Sequence, residues 1–356
     1  MVAEARGHLT DDHQVVVPDQ SAANRLYNKG YAGVPQRGGA LRLSLVEAAR
    51  LVEEERLAAY RTEEGCSETR ESERLAFSDL MALGVASDPG FEIPLFAYRD
   101  LRARGYVTKH ANRRRLDFLV YGRGDAPPSA TPAWLAGAAS ERAPVGAADL
   151  FAWLDEAKDE GAELIVLVVD EEGDLTHYRV YEAAPHGEAP RPDFAPVEGR
   201  FLEDRVVVWG ESAARRLREP HFLGRGLPGG VQLSLVEAAA LIEEGRLRVE
   251  GFEARAREVQ PDLRLRTTAY RDLRARGLWI KTGFKFGTHF RAYAKHPDEA
   301  HAPWLVHCVP NDWTTTWPEL SRAVRLAHSV RKTMLFAATD PDEGTVRLVA
   351  VERFRP

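Results

Sequence analysis

The stretch LSLVEAA at residues 43–49 is written again, letter for letter, at residues 233–239. YRDLRARG at 98–105 likewise returns at 270–277. Ahead of both, Val15-Val16-Val17, Ser21-Ala22-Ala23 and Arg25-Leu26 return as Val206-Val207-Val208, Ser212-Ala213-Ala214 and Arg216-Leu217. Three blocks repeated in one order make the chain a tandem duplication. The repeats run over 15–181 and 206–356. Between them, 182–205 carries Pro185, Pro190, Pro192 and Pro196 and reads as a linker. Residues 1–14 read as a loose tail, and an acidic stretch from Thr62 to Ser87 as a surface insertion in the first repeat.

Working outward from these blocks, each repeat has the same internal order. A short β segment comes first. A helix follows, opened by the capping boxes Ser44 with Glu47 and Ser234 with Glu237. A second helix stops at Gly105 or Gly277. The apolar period then falls to two. In 288–294 Phe290, Ala292 and Ala294 face one way, while His289, Arg291 and Tyr293 face the other. Residues 304–309 form a further strand, and Pro318 opens a helix to about Arg331. Two strands, 332–338 and 346–351, close the order around a tight turn at 340–344. The expected fold class is α/β (α+β): each repeat is a small α/β N-terminal subdomain plus a mixed-sheet C-terminal subdomain. In the second repeat these span about 206–265 and 266–356.

Composition narrows the class. With 44% hydrophobic and 29% charged residues, the chain reads as an ordinary soluble protein. A net charge of −6 does not mark a nucleic-acid binder, so such a role must rest on local basic clusters. Arginine supplies nearly all the positive charge, yet Lys281, Lys285 and Lys295 crowd one short segment. Cys66 and Cys308 make neither a disulfide scaffold nor a thiolate metal site, and they fit a reducing cytoplasm. No signal core and no membrane span are legible. A cytoplasmic location is expected.

Chemistry enters with Tyr293 on a polar sheet face, His301 after it, and Lys332 at a helix-to-strand junction. These side chains, with no carboxylate cluster beside them, suit metal-free cleavage of an RNA phosphodiester. One group takes the 2′-OH proton, one protonates the departing 5′-oxygen, and a cation stabilises the charged phosphorane. Taken bare, a tyrosine at a strand end is more often a core residue with a wet tip.

The run YRDLRARGLWIKTGFKFGTHFRAY (270–293), then HAPWLVH (301–307) and RLAHSVRKTMLFA (325–337), resembles the catalytic domain of archaeal tRNA-splicing endonucleases. The resemblance implies Tyr293 as general base, His301 as general acid and Lys332 as the transition-state cation. It implies no metal and no cofactor. His296 also lies after Tyr293 and is the alternative acid; His301 is preferred because it directly precedes the apolar strand. The implied substrate is precursor tRNA with a bulge-helix-bulge, cut to a 2′,3′-cyclic phosphate and a 5′-hydroxyl. The layout resembles the fused class, whose chains pair as homodimers. Arg325 and Arg347 fall where the family places two substrate-gripping arginines, able to stack on an unpaired bulge base. His328, one turn from Arg325 and Lys332, reads as structural. The resemblance further implies that an acidic turn, 170–173 or 340–344, docks in a basic pocket of a neighbouring unit.

The first repeat is an internal control. Tyr121 aligns with Tyr293, Thr131 stands opposite His301, Ala162 opposite Lys332, and Leu119 opposite Arg291. The acid and the cation are missing while the framework remains, so the first repeat is read as non-catalytic. Two competing readings stay open. One is a metal-dependent nuclease using the histidines 289, 296, 301, 307 and 328, although no metal-ligand spacing supports it. The other is a non-catalytic RNA-binding subunit, which does not explain why one repeat is complete and the other broken.

Overall fold

The computed structural model of the chain describes residues 4–61, 73–111, 115–125, 127 and 129–356. The described chain forms two compact units. One takes the residues up to Ala143 with Trp153–Arg179 and Phe354–Pro356; the other takes Pro144–Ala152 and Val180–Arg353. The units follow the duplication, except that Pro144–Ala152 and residues 180–181 of the first repeat fall in the second unit and Phe354–Pro356 of the second repeat in the first.

In the first unit, Val34–Pro35, Leu41–Leu43, Val15–Val17, Ala5–Leu9, Leu57–Arg61 and Glu73–Leu75 lie side by side in that order. In the second, Arg225–Leu227, Gly230–Leu233, Arg205–Trp209, Val197–Leu202 and Leu247–Val249 repeat the order without the last strand. Each sheet contains one parallel pair, Ala5–Leu9 with Leu57–Arg61 and Val197–Leu202 with Leu247–Val249. Ala5–Leu9 lies in the stretch read as a tail, and Val197–Leu202 in the stretch read as a linker. The missed signal is weak: ARGHL and VEGRFL alternate too poorly to read as strands, and only pairing on both sides makes them so. Of the acidic insertion, 62–72 lies outside the described residues. Beyond it, Glu73–Leu75 pairs at the sheet edge and the helix Phe77–Ser87 sends Leu80 into the core.

Both capping boxes form as the sequence predicts. Ser44 and Ser234 accept from the backbone N–H of Glu47 and Glu237, whose carboxylates return to the backbone N–H of Ser44 and Ser234. These helices, Leu45–Glu53 and Leu235–Glu243, are almost wholly buried, which is why they are apolar around most of their circumference.

The C-terminal sheet of the second unit runs Trp279–Thr282, Phe290–Tyr293, Trp304–Pro310, Thr333–Asp340, Thr345–Arg353. All neighbours are antiparallel except Trp304–Pro310 with Thr333–Asp340. The helix Trp317–Ser329 makes that parallel crossover, with Pro318 in its first turn. The first unit repeats the plan with Val107–His110, Phe118–Tyr121, Trp134–Ser140, Glu163–Val169 and the strand beginning at Leu175. The expected fold class and tandem duplication are both present.

Candidate active site

Tyr293 ends its strand facing Trp279 on the neighbouring strand. It is 7% exposed, buried in a small apolar cluster with Ala189, Trp279 and Ala302 and with Phe222 against it. Strand alternation alone puts Tyr293 on a polar face; the cover comes from the Pro-rich segment. There the Gly187 N–H donates to the Arg276 carbonyl, Glu188 to Ala294, and Ala189 to Gly277. The Arg274 guanidinium clasps the Pro190 carbonyl. The segment read as a linker is thus partly a strap over the phenol of Tyr293. The strap requires two glycines. A Cβ on Gly187 would stand 2.5 Å from the Gly277 carbonyl oxygen, and Gly277 itself has φ of +78°.

Lys332 follows Arg331, whose left-handed φ of +54° turns the chain out of the helix and into its strand. The Lys332 ammonium donates to the carbonyl of Ala302. Ala302 therefore joins two of the sequence-predicted residues: its side chain packs in the Tyr293 cluster and its carbonyl holds Lys332. His301, the residue before it, is exposed. The Thr333 N–H donates to the Pro303 carbonyl and seats this loop against the strand that Lys332 precedes. Burial, and after it the charge of Arg291, hold the Lys332 ammonium below its usual pKa. Arg291 donates to the Thr282 carbonyl, with its guanidinium carbon 5.8 Å from the centre of the Tyr293 ring and 5.9 Å from that of Phe286. The cluster thus carries two cations beside one phenol.

His296 borders the same cluster on the side of Phe222 and Trp279. Its ring meets Phe222 and Trp279 edge-on at centroid distances of 4.9 and 5.7 Å, and its Nδ1 accepts from the Asp298 N–H. It lines a cleft with Trp279, Phe222, Arg215, Arg218 and Glu219.

Arg347 stands well along the sheet from Lys332. Arg325 is exposed on the helix Trp317–Ser329. Arg347 faces Ala338 across the terminal hairpin. Six residues along an extended strand separate Ala338 from Lys332, roughly 20 Å. His328 is exposed on the same helix as Arg325.

The registers of the two repeats coincide. Tyr121 faces Val107 as Tyr293 faces Trp279, and Leu119 faces Lys109 as Arg291 faces Lys281. Trp134 pairs with Glu163 as Trp304 pairs with Thr333. Ala162 and Lys332 therefore take the same place in front of a strand, and Thr131 and His301 the same place three residues before a tryptophan.

Sequence reading missed the role of Lys281. Its ammonium is not displayed on a basic surface. It donates to the carbonyls of Phe222 and Gly224 at 2.9 and 3.0 Å and to the buried Glu237 carboxylate at 3.1 Å. Lys281, followed by the hydrogen bonds from Ser234 and Gly224, outweighs desolvation and holds the Glu237 carboxyl below the usual carboxylate range. In the first repeat Lys109 donates to the carbonyls of Tyr31 and Gly33, and Glu47 accepts from the Gly33 N–H. The available signal was identity: each lysine stands four residues after the same glycine in both repeats. Lys109 and Lys281 make the same carbonyl contacts in both repeats and so belong to the framework.

The description "tRNA intron endonuclease, catalytic C-terminal domain" matches residues 91–178 and 263–348, and "tRNA intron endonuclease, N-terminal domain" matches 5–71 and 197–258. A tRNA-splicing endonuclease of Methanococcoides burtonii is 37% identical over 353 residues, covering 95% of this chain and 96% of that protein. Those of Methanosarcina acetivorans (37% over 345 residues; 92% and 94%) and Natronomonas pharaonis (35% over 369; 98% and 99%) are similar over nearly the same extent. The chain belongs to the tRNA intron endonuclease family, and is an enzyme of the class that cuts introns from tRNA.

Proposed function

We propose that the second repeat cleaves precursor tRNA at bulge-helix-bulge sites by attack of the substrate's own 2′-OH, without a metal. Tyr293 takes the proton from that hydroxyl, His301 delivers one to the departing 5′-oxygen, and Lys332 stabilises the phosphorane between them. The products are a 2′,3′-cyclic phosphate and a 5′-hydroxyl. The observation that carries this reading is the internal comparison: at matched registers one repeat holds tyrosine, histidine and lysine, and the other tyrosine, threonine and alanine. The tie from Lys332 to the residue next to His301 favours His301 over His296 as the acid.

The first repeat then serves assembly. The chain works in the cytoplasm as a homodimer, with Arg325 and Arg347 reaching the RNA held by a second copy. The distance of Arg347 from Lys332 of the same chain supports action across the dimer. A cleft of about 980 Å³ in the second unit is lined by Arg218, Arg225 and Arg291. The first repeat has Tyr27, Val34 and Leu119 in place of the three arginines. This basic cleft suits the acidic turn 170–173 of a second copy, where Arg142 pairs with Glu171 and Glu172 has no ion pair among the described residues. The turn 340–344 is held by Arg264 at both the Asp342 carboxylate and the Pro341 carbonyl. The test is cleavage of a bulge-helix-bulge transcript by wild type and by Lys332→Ala. Cutting by wild type and uncut but bound RNA with the variant is the expected result; RNA bound and uncut by wild type makes the chain a binding subunit.

A further inference from the structure

Arg347 is held by both a ring and a carboxylate. Its guanidinium carbon lies 3.9 Å from the centre of the Phe151 ring, the separation of a stacked pair. Along one edge, Nε and one terminal nitrogen donate to the two Glu182 oxygens at 3.1 and 3.4 Å. A ring beneath the plane and a carboxylate along one edge fix both tilt and rotation of a side chain that otherwise samples many rotamers. Yet 44% of the side chain stays exposed.

The scaffold behind this arrangement is rigid. Phe151 is 7% exposed on the helix Ala147–Asp159. Pro144–Gly146, just ahead of that helix, pairs with Thr314–Thr316. Glu182 ends its strand where the Ala183 N–H donates to the carbonyl of Leu348, the neighbour of Arg347. The first repeat has nothing like it. Aligning Asp170 with Asp340 puts His177 at the place of Arg347. His177 is 5% exposed and bonded to Asp100, and Ser321 of the second repeat stands at the place of Phe151.

We propose that Phe151 and Glu182 are positioning residues that present the outer face of Arg347 to one unpaired nucleobase of the RNA, giving a stack of ring, guanidinium and base. This rests on the reading of Arg347 as an RNA contact given above. It gives the first repeat a share in substrate recognition, because Phe151 is encoded there while the chemistry is encoded in the second. A planar cation with one face already covered by a ring binds a second flat partner without first losing its rotational freedom. The occupant is a base, because a guanidinium whose tilt is fixed against a ring stacks its other face on a flat π-system.

Phe151→Leu and Glu182→Gln are to be compared with wild type and Arg347→Ala on two RNAs. One is an intact bulge-helix-bulge transcript; the other is a set of the same RNA with each bulge base removed in turn. On intact RNA we expect both variants to raise KM roughly three- to tenfold, the range of a partly desolvated cation–π contact. On the abasic RNA that lacks the stacked base, wild type and variants should coincide. Neither change should add to the loss already caused by Arg347→Ala. The proposal is overturned if both variants match wild type on intact RNA while Arg347→Ala is impaired, or if Glu182→Gln binds more tightly. A loss that persists unchanged on every abasic RNA overturns it too, since that marks a merely structural role. If Arg347→Ala cuts like wild type, the RNA contact and the positioning both fall. If wild type itself does not cut, the function proposed for the chain falls with them.

Discussion

Lys281→Met should unfold the second unit early, through a charge left behind. Lys281 and Glu237 are 17% and 9% exposed, so the pair sits largely out of water. Removing the ammonium leaves the Glu237 carboxylate with the backbone N–H groups of Gly224 and Ser234 and the Ser234 hydroxyl, but with no cation. It also leaves the Phe222 and Gly224 carbonyls without this donor. Breaking a buried pair from one side costs about 3–5 kcal/mol. The surviving hydrogen bonds and residual exposure place this case near the lower end, about 3 kcal/mol. In a unit of this size that is a fall in Tm of roughly 6–12 °C. The assay is thermal unfolding at neutral pH, followed by circular dichroism. The pH dependence is a second check. The Glu237 carboxyl lies below its unfolded value, so its contribution is present above about pH 4.5 and lost as pH falls through the folded value. Lys281→Met should shrink that acid-sensitive part of the profile. A shift under 2 °C with an unchanged acid limb would refute the view that Lys281 is a buried clamp.

Other consequences are independent of that clamp. His289 and His307 stack at 4.4 Å, and burial, then the charges of His307 and Arg266, push His289 down to about 4. Because this histidine stays neutral in the fold while the unfolded chain protonates near 6.5, stability should fall from pH 6.5 towards 4 and level off below. His289→Gln should flatten that segment, and a profile that keeps its slope contradicts the assignment. Gly187→Ala drives a Cβ into the Gly277 and Ala294 carbonyls and should cost about 2 kcal/mol in unfolding experiments while slowing cleavage by loosening the cover on Tyr293; unchanged rates would free Tyr293 of the strap. His301→Ala should slow cleavage by roughly 10²–10⁴, the usual worth of a general acid, with RNA affinity retained. His296→Ala should cut nearly as wild type, and the reverse ranking transfers the acid to His296.

Much of this molecule was legible before any coordinates. The duplication, both capping boxes, the helix opened by Pro318 and four strands of the C-terminal sheet follow from repeated blocks and local periodicity, which act within a few residues, whereas the strand Trp279–Thr282 beside Tyr293 was not legible. What escaped depends on contacts far apart in the chain. Tyr293 is covered by residues about a hundred positions earlier, in a stretch whose prolines suggest only a spacer. Val197–Leu202 is a strand because neighbours pair with it, not because its own residues alternate. Lys281 looked like a surface cation beside Lys285 and Lys295 because sequence does not display a buried carboxylate 44 residues upstream. At the candidate site, residue types could be nominated from the sequence, but the Ala302 carbonyl linking them, the second cation Arg291, and the ring beneath Arg347 could not.

The central claim is that the second repeat lets the ribose attack its own phosphate. The direct measurement is the chemistry of the ends left on a bulge-helix-bulge RNA cut in excess EDTA. The account predicts undiminished cleavage with a 2′,3′-cyclic phosphate on one fragment and a 5′-hydroxyl on the other. Cleavage abolished by the chelator, or a 5′-phosphate on the product, would contradict it.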